Sequence, residues 1–371
     1  MKVIDVCGFY SEKGGGVRTY VRQKLRSASQ AGIALQILVP GPDDRIEQYS
    51  RDCAIVHMRS APFPLDPRYH WFNNSAAVLA MLDQAGPDVV EASSPWKSAA
   101  LVADWHGSAV RSLFMHADPA SAYGYRLLGG LFERDWIDRR FESYWRHLRR
   151  MNKAFDSVIC PNHEFSNRLQ QAGLHKAMAI PMGIEPNVFS PAHRNEALRV
   201  SLLKLCNMDA TATLFVSAGR FAPEKRWPMV IQAISKMALE HPVGLVLIGE
   251  GRRKSELLAL TRDNPHIQIL PHTSDRQQFA EILASSDALV HGCEAETFGL
   301  VAAEARAAGL PLILPDRGGV TDLFNPETDA QFESVNAQSL TNALARWIAA
   351  KRTVASNLRD GSPADHNRGL D

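Results

Sequence analysis

Two α/β domains, each a parallel sheet covered by helices, are predicted by three observations. Strand-like and helix-like segments alternate along the chain in two series. A stretch rich in proline and glycine separates the series, and each series places a glycine-containing turn after its first strand. Alternation of this kind implies strands joined by helical crossovers, which can only be parallel. The first series opens with a strand at Val3 to Cys7, then Gly14-Gly15-Gly16, then an amphipathic stretch from Val17 to Gln30. Further strands are read at Ala34 to Val39, Asp88 to Ala92, Val110 to Met115, Ser157 to Cys160 and Ala177 to Ile180. Pro181-Met182-Gly183-Ile184-Glu185-Pro186 then breaks regular structure, and Pro191 breaks it again. The second series has strands at Thr213 to Ala218, Gly244 to Ile248, Ile267 to Leu270, Ala288 to His291 and Pro311 to Leu314. The expected organisation is therefore two Rossmann-like domains, residues 1–188 and 189–354, with their sheets facing each other across a cleft. A polar tail, 355–371, is expected to be disordered. Ligands of such domains sit in the cleft, at the carboxyl ends of the strands.

Composition narrows the function classes. The chain is 45% hydrophobic and 22% charged with a formal net charge of +1, so bulk electrostatics offer no case for nucleic-acid binding. No run approaches the roughly 20 apolar residues that span a bilayer. The short, polar N-terminus reads as a first strand rather than a signal peptide. Five scattered cysteines point to reduced thiols and a cytoplasmic protein. HExxH, CxxC, EF-hand and Walker A patterns are absent, so neither a protein-built metal site nor a cofactor is expected.

The most informative segment is Glu296-Thr297-Phe298-Gly299-Leu300-Val301-Ala302-Ala303-Glu304. Gly299 to Ala308 reads as a helix of small and apolar residues, stopped by Gly309 and Pro311. Glu296 thus stands at a strand-to-helix turn, beside the N–H groups of Phe298, Gly299 and Leu300. Glu304 lies within the helix, where Leu300, Val301, Ala307 and Ala308 at i±3 and i±4 cannot pair with it. A carboxylate on an apolar face is costly unless satisfied. Two such carboxylates beside an anion-attracting helix end suggest a polyhydroxylated anionic ligand, and a nucleotide sugar fits.

Other strand exits carry candidates of their own. Gly15 and Gly16 leave a helix N-terminus open to an anion, without the GxGxxG of dinucleotide sites. Arg220 and Lys225, after the strand at Thr213 to Ala218, can neutralise a diphosphate. His116 follows an apolar strand and can hydrogen-bond a sugar hydroxyl; a structural histidine is the commoner alternative. Gly249-Glu250-Gly251 is an ordinary turn by default. Glu133 to Lys153 reads as an amphipathic helix with a basic face. It is expected to pack on its own domain; the alternative is contact with an anionic membrane surface.

Together these residues resemble a known family. Glu296-Thr297-Phe298-Gly299-Leu300, Glu304-Ala305 and Ala308-Gly309-Leu310-Pro311 look like the E-x7-E signature of retaining, family-4-type (group 1) glycosyltransferases with the GT-B fold. Gly15-Gly16-Val17, Ile180-Pro181-Met182-Gly183-Ile184, Gly219-Arg220 with Glu224-Lys225, and Gly318-Gly319 match in order, over residues 1 to about 350. The resemblance implies that Glu296 accepts hydrogen bonds from the donor sugar and that Phe298, Gly299 and Leu300 contact sugar or diphosphate. It implies that Arg220 and Lys225 stabilise the leaving diphosphate, that Glu304 holds the ribose and that Gly15 and Gly16 face the phosphates. It places His116 near the reacting carbon. The implied activity is transfer of a sugar, with retention and without metal, from a nucleotide-diphosphate sugar to a carbohydrate or lipid-linked acceptor hydroxyl, with peripheral membrane contact as a further expectation. The rivals are a nucleotide-sugar 2-epimerase of the same fold and a catalytically silent nucleotide-sugar-binding subunit. Two departures stand out. His116-Ala117-Asp118 replaces a common His-Asp, and the chain after Arg352 leaves little room for the family's closing helix.

Overall fold

The computed structural model describes residues 1–12, 16–64, 69–116, 139, 141–185 and 187–359. The chain divides into two compact units, Met1–Glu185 and Pro186–Asp371.

In the first unit, β1 (Lys2–Val6), α1 (Gly16–Gln30), β2 (Ala34–Gly41), β3 (Arg45–Ser50), β4 (Cys53–Arg59), and the two-residue strands β5 (Ala61–Pro62) and β6 (His70–Trp71) come first. They are followed by α2 (Ser75–Ala85), β7 (Val89–Ala92), α3 (Lys97–Asp104), β8 (Val110–Phe114), α4 (Glu142–Ala154), β9 (Ser157–Cys160), α5 (His163–Gln171) and β10 (Ala177–Ala179). The main sheet runs β10-β9-β8-β7-β1-β2-β4-β3, parallel except for the β3–β4 pair. The helices begin at side-chain caps where the sequence supplies them. Asn74 Oδ1 accepts from Ala77 N at 3.1 Å, and Asn162 Oδ1 accepts from Phe165 N at 2.7 Å. Ile4, Val6, Val90, Leu113 and Val158 alternate into one core with Leu82, Val102, Leu148 and Leu169 from the helices.

The second unit contains α6 (Glu196–Leu205), β11 (Thr213–Ala218), α7 (Trp227–Met237), β12 (Val243–Ile248), α8 (Lys254–Thr261), β13 (Ile267–Leu270) and α9 (Arg276–Ala284). It continues with β14 (Ala288–Val290), α10 (Leu300–Ala307), β15 (Leu312–Pro315), β16 (Ala330–Phe332) and α11 (Ala337–Arg359). Its sheet is wholly parallel, in the order β13-β12-β11-β14-β15-β16. Strands such as Val243–Ile248 are buried at every residue, as parallel strands covered on both faces must be.

Several elements differ from the sequence reading: strands β3 to β6 and β16 are absent from it, and one helix and the end of the chain differ in extent. The edge strand β3 carries Arg45, Glu47 and Gln48 and gives little apolar alternation, whereas its partner β4 is a buried strand with the apolar run Cys53-Ala54-Ile55-Val56 that the reading leaves out. The helix expected at Glu133 to Lys153 is described as α4 from Glu142; residues 133–138 and 140 lie outside the described set. Tyr144, Trp145, Leu148 and Met151 of its apolar stripe are buried in the domain's own core. Of the polar tail expected from residue 355, residues 355–359 continue a helix, and residues 360–371 lie outside the described set. Leu340, Leu344, Trp347 and Ile348 of α11 bury themselves in the second unit, and Lys351 Nζ donates to Asp287 Oδ1 at 2.8 Å. These anchors let the helix run past Gly- and Pro-free residues that read only as polar.

Candidate active site

The strand order of the second unit reverses between β11 and β14. After β11 the chain builds outward to β12 and β13; after β14 it builds the other way, to β15 and β16. Open α/β sheets bind ligands at such switch points, beyond the carboxyl ends of the strands. The loops leaving these two strands carry Arg220, Lys225 and Arg226 on one side and Glu294 and Glu296 on the other.

Two ion pairs lace these loops together. Lys225 Nζ donates to Glu296 Oε1, with about a fifth of each side chain exposed. Arg226 Nε donates to both Glu294 oxygens at 3.2 Å, and its Nη2 to Oε1. Arg226 has φ of 54°, a left-handed conformation that is uncommon for a non-glycine residue and is held where the surroundings over-determine it. That turn ends the 3-10 segment Pro223–Lys225 and starts α7, which aims Lys225 at the Glu296 loop. Sequence reasoning missed Arg226 and Glu294; the signal was there, in the adjacent Lys225-Arg226 facing Glu294 and Glu296. Arg220 differs. Its side chain is 65% exposed, and its Nη2 donates to Glu224 Oε1 at 2.9 Å. An exposed ion pair contributes only about 0.2–1 kcal/mol, so the guanidinium can swing to an anion at little expense.

Gly299 and Gly318 shape the other wall. Gly299 caps α10 with φ of 80°, and a Cβ there would sit 2.4 Å from Val320 Cγ1. Gly318, with φ of 89°, leaves no room for a Cβ, which would come 2.4 Å from Glu294 O. The following residue, Gly319, donates its N–H to Glu296 O at 2.7 Å. Phe298 is buried and Leu300 begins α10, so the first-turn N–H groups that lack intrahelical acceptors start beside Glu296. The Gly249 turn is likewise tied to the β11 exit, Phe221 N donating to Glu250 O at 2.8 Å.

Glu304 is 3% exposed, as its apolar neighbours on the helix require, but its partner comes from elsewhere: Arg276 Nη2, at the start of α9, donates to Oε1. The expectation that a ligand alone satisfies this carboxylate is corrected by that pair. No local pattern on α10 announces a residue 28 positions away. The Arg276 guanidinium also lies 4.9 Å from the Phe189 ring.

Beneath Glu296 lie His291 and Cys293, both buried. Burial, reinforced by the Lys225 charge, pushes the His291 pKa down to about 3, so the imidazole is neutral. Its Nε2 is 4.0 Å from Glu296 Oε1 and has no hydrogen-bond partner.

His116 belongs to the first unit. It follows β8 and packs edge-on against Tyr20 of α1 at 4.8 Å between centroids. Burial, with Asp5 opposing and Lys24 assisting, lowers its pKa to about 4. Close by, the β1/β7 switch point holds a buried triad that the sequence did not reveal. Lys24 Nζ bridges Asp5 Oδ2 at 2.8 Å and Glu91 Oε1 at 2.5 Å. Burial alone would lower the Lys24 pKa; Asp5 and Glu91 outweigh it and raise it well above the usual value. Gly16 opens α1, as expected; Gly15 lies outside the described residues.

Two family models match this chain: Glycosyltransferase Family 4 over residues 14–188 and Glycosyl transferases group 1 over residues 207–360. The chain belongs to the family-4, group 1 glycosyltransferases. Among curated relatives of this glycosyltransferase, a GDP-mannose-dependent alpha-mannosyltransferase of Mycobacterium tuberculosis is 27% identical over 82% of this chain and 76% of the relative. A GDP-mannose-dependent alpha-(1-6)-phosphatidylinositol dimannoside mannosyltransferase of the same species is 24% identical over 89% and 83%. Sucrose-phosphate synthase from Thermosynechococcus elongatus superimposes with a TM-score of 0.74 at 20% identity, covering 94% of this chain and 90% of that one. Anabaena HepE, solved with UDP and glucose, gives 0.68 at 16% identity over 96% and 92%. These likenesses establish the GT-B fold for the glycosyltransferase.

Proposed function

We propose that this glycosyltransferase moves a sugar, with retention of anomeric configuration, from a nucleotide-diphosphate sugar to an acceptor hydroxyl in glycan or glycolipid synthesis. The observation that carries the reading is the convergence of Lys225, Arg220 and Glu296 with the start of α10 at the β11/β14 switch point. Lys225 is held in place by Glu296, and a donor whose sugar hydroxyls take over that carboxylate releases Nζ toward the leaving diphosphate. Arg220, loosely held at the rim, supplies a second cation. Preorganised charge of this kind usually does more than any other single effect to lower the barrier of a transfer that expels an anion. The acceptor oxygen attacks on the face the diphosphate leaves and passes its proton to a phosphate oxygen. Glu304, with Arg276, holds the ribose. His116, neutral at physiological pH, acts as a hydrogen-bonding group and carries no charge.

GDP-mannose is the first donor to test, because the mannosyltransferase relatives are named for it. A recess of about 550 Å³ beside the β4 exit, lined by Arg59, Ser60, Phe72 and Asn73, is our candidate acceptor pocket. The name of the phosphatidylinositol dimannoside mannosyltransferase relative and the exposed Arg146, Arg150 and Lys153 on α4 support a lipid-linked acceptor as the reading to test. No helix among the described residues is long and apolar enough to cross a membrane. Three basic residues contribute about 1 kcal/mol each at an anionic surface, so weak, salt-reversible flotation with anionic liposomes is expected; no flotation at low salt favours a soluble acceptor. The main reading is tested by incubating protein, donor and acceptor, following nucleoside diphosphate release, and determining the product anomer by NMR. An inverted product removes retention, and an epimer formed without acceptor replaces transfer by 2-epimerisation.

A further inference from the structure

We propose that the loop leaving β14 is an inhibitory site for a soft divalent cation of the zinc class, built from His291, Cys293 and Glu296. One nitrogen, one sulfur and one carboxylate oxygen of these residues lie within 4.8 Å of one another. His291 is only 5% exposed, and its Nε2 is 4.0 Å from Glu296 Oε1 with no hydrogen-bond partner. An imidazole with an unmatched ring nitrogen facing a carboxylate and a thiol is a ligand set suited to an ion. Zinc bonds of about 2.0–2.3 Å place tetrahedral ligands about 3.5 Å apart, so the three groups need to close by roughly an ångström. Nitrogen and sulfur donors select zinc, cobalt or cadmium over magnesium and calcium. On binding, Cys293 releases its thiol proton to solvent. One thiolate and one carboxylate then neutralise the dication, so nearby Lys225 faces an uncharged complex rather than a competing charge. Three protein ligands leave a fourth position for water.

The consequence rests on the reading of Glu296 and Lys225 as donor machinery; the binding chemistry does not. A bound ion takes Glu296 away from Lys225, so metal and donor compete for one carboxylate. The regulation is direct: loss of the carboxylate that receives the sugar hydroxyls, without any distant conformational change.

Cobalt(II) titration of the metal-stripped full chain tests the site by absorption. One equivalent should produce a thiolate-to-cobalt charge-transfer band with tetrahedral visible bands. Cys293→Ser should abolish the charge-transfer band while keeping the circular dichroism spectrum and donor binding. His291→Gln removes a ligand outright and should weaken cobalt affinity by at least the roughly 10–100-fold that loss of an outer-shell partner costs. Added zinc should lower GDP-mannose affinity of the wild type and leave that of Cys293→Ser unchanged. A charge-transfer band that survives Cys293→Ser, or no band in the folded wild type, overturns the proposal. Because the band needs no sugar transfer, its absence leaves the transferase reading intact. Failure of transfer likewise leaves the band to be measured.

Discussion

Replacing Lys225 by Met should separate the catalytic job of this side chain from its structural one. Lys225 and Glu296 are about four-fifths buried, so removal of the ammonium strands a carboxylate whose titratable neighbour His291 is neutral. Breaking a fully buried pair costs about 3–5 kcal/mol, and the solvent reaching Glu296 brings this to about 1–2 kcal/mol. Adding Glu296→Gln to Lys225→Met should restore most of it, giving a coupling of about 1–2 kcal/mol in a double-mutant cycle read by urea unfolding. Activity should behave differently. Loss of one preorganised cation at a developing diphosphate charge lowers kcat by about 10²–10³, or about 3–4 kcal/mol, and the double variant should not recover it. Since that interaction strengthens in the transition state, kcat and kcat/KM should fall together, with donor Kd changing less. Steady-state nucleoside diphosphate release and calorimetric donor binding measure both. A Lys225→Met protein that loses the stability but keeps kcat within about threefold would refute the catalytic role, since a single oriented cation is worth far more.

Two histidines predict the acid limb of stability. His116 and His291 have pKa values lowered to about 4 and about 3, against about 6.5 unfolded, so the unfolded chain binds more protons in the window between these values. Stability therefore rises with pH through that window; dropping from pH 7 to 5 should cost about 2 kcal/mol at His291 and somewhat less at partly exposed His116, with each variant to Gln flattening the profile. Asp287 receives Leu214 N and Arg199 Nη2 at 2.8 Å each, besides Lys351. Burial alone would raise its pKa, but Lys351, the Leu214 N–H and Arg199 outweigh burial and hold it below the usual range. Asp287→Asn should destabilise by about 3 kcal/mol in denaturant titration, by leaving buried Arg199 without its counter-charge, with donor Kd unchanged.

Much of the fold is legible in the sequence because parallel strands buried on both faces are written as short apolar runs. Thr213–Ala218, Ile267–Leu270 and Ser157–Cys160 match the expected strands to the residue. The edge strand β3 and the late turns of α11 are not legible, since their stability comes from a neighbouring strand and from Asp287 rather than from local pattern. The candidate site divides the same way. Glu296, Gly299 and Leu300 follow from the strand–turn–helix grammar of one segment. Arg276 beside Glu304, Arg226 beside Glu294 and Lys24 between Asp5 and Glu91 join residues 28, 68, 19 and 67 positions apart, and only the folded sheet brings them together. His291 and Cys293 look like part of a strand end, because one histidine and one cysteine without paired spacing carry no metal signature in sequence.

The central claim is that the second unit's switch point binds a nucleotide-diphosphate sugar, and donor-induced thermal stabilisation tests it most directly. At a hundredfold excess over Kd, a bound donor stabilises the protein by about 2.7 kcal/mol. For a unit of this size that raises Tm by about 5–11 °C. The expected result is this shift with GDP-mannose or another nucleotide sugar in a panel, and its loss in Glu304→Ala, which removes the carboxylate assigned to the ribose. If no nucleotide sugar or nucleoside diphosphate moves Tm, or if Glu304→Ala shifts as the wild type does, the assignment of this site is contradicted.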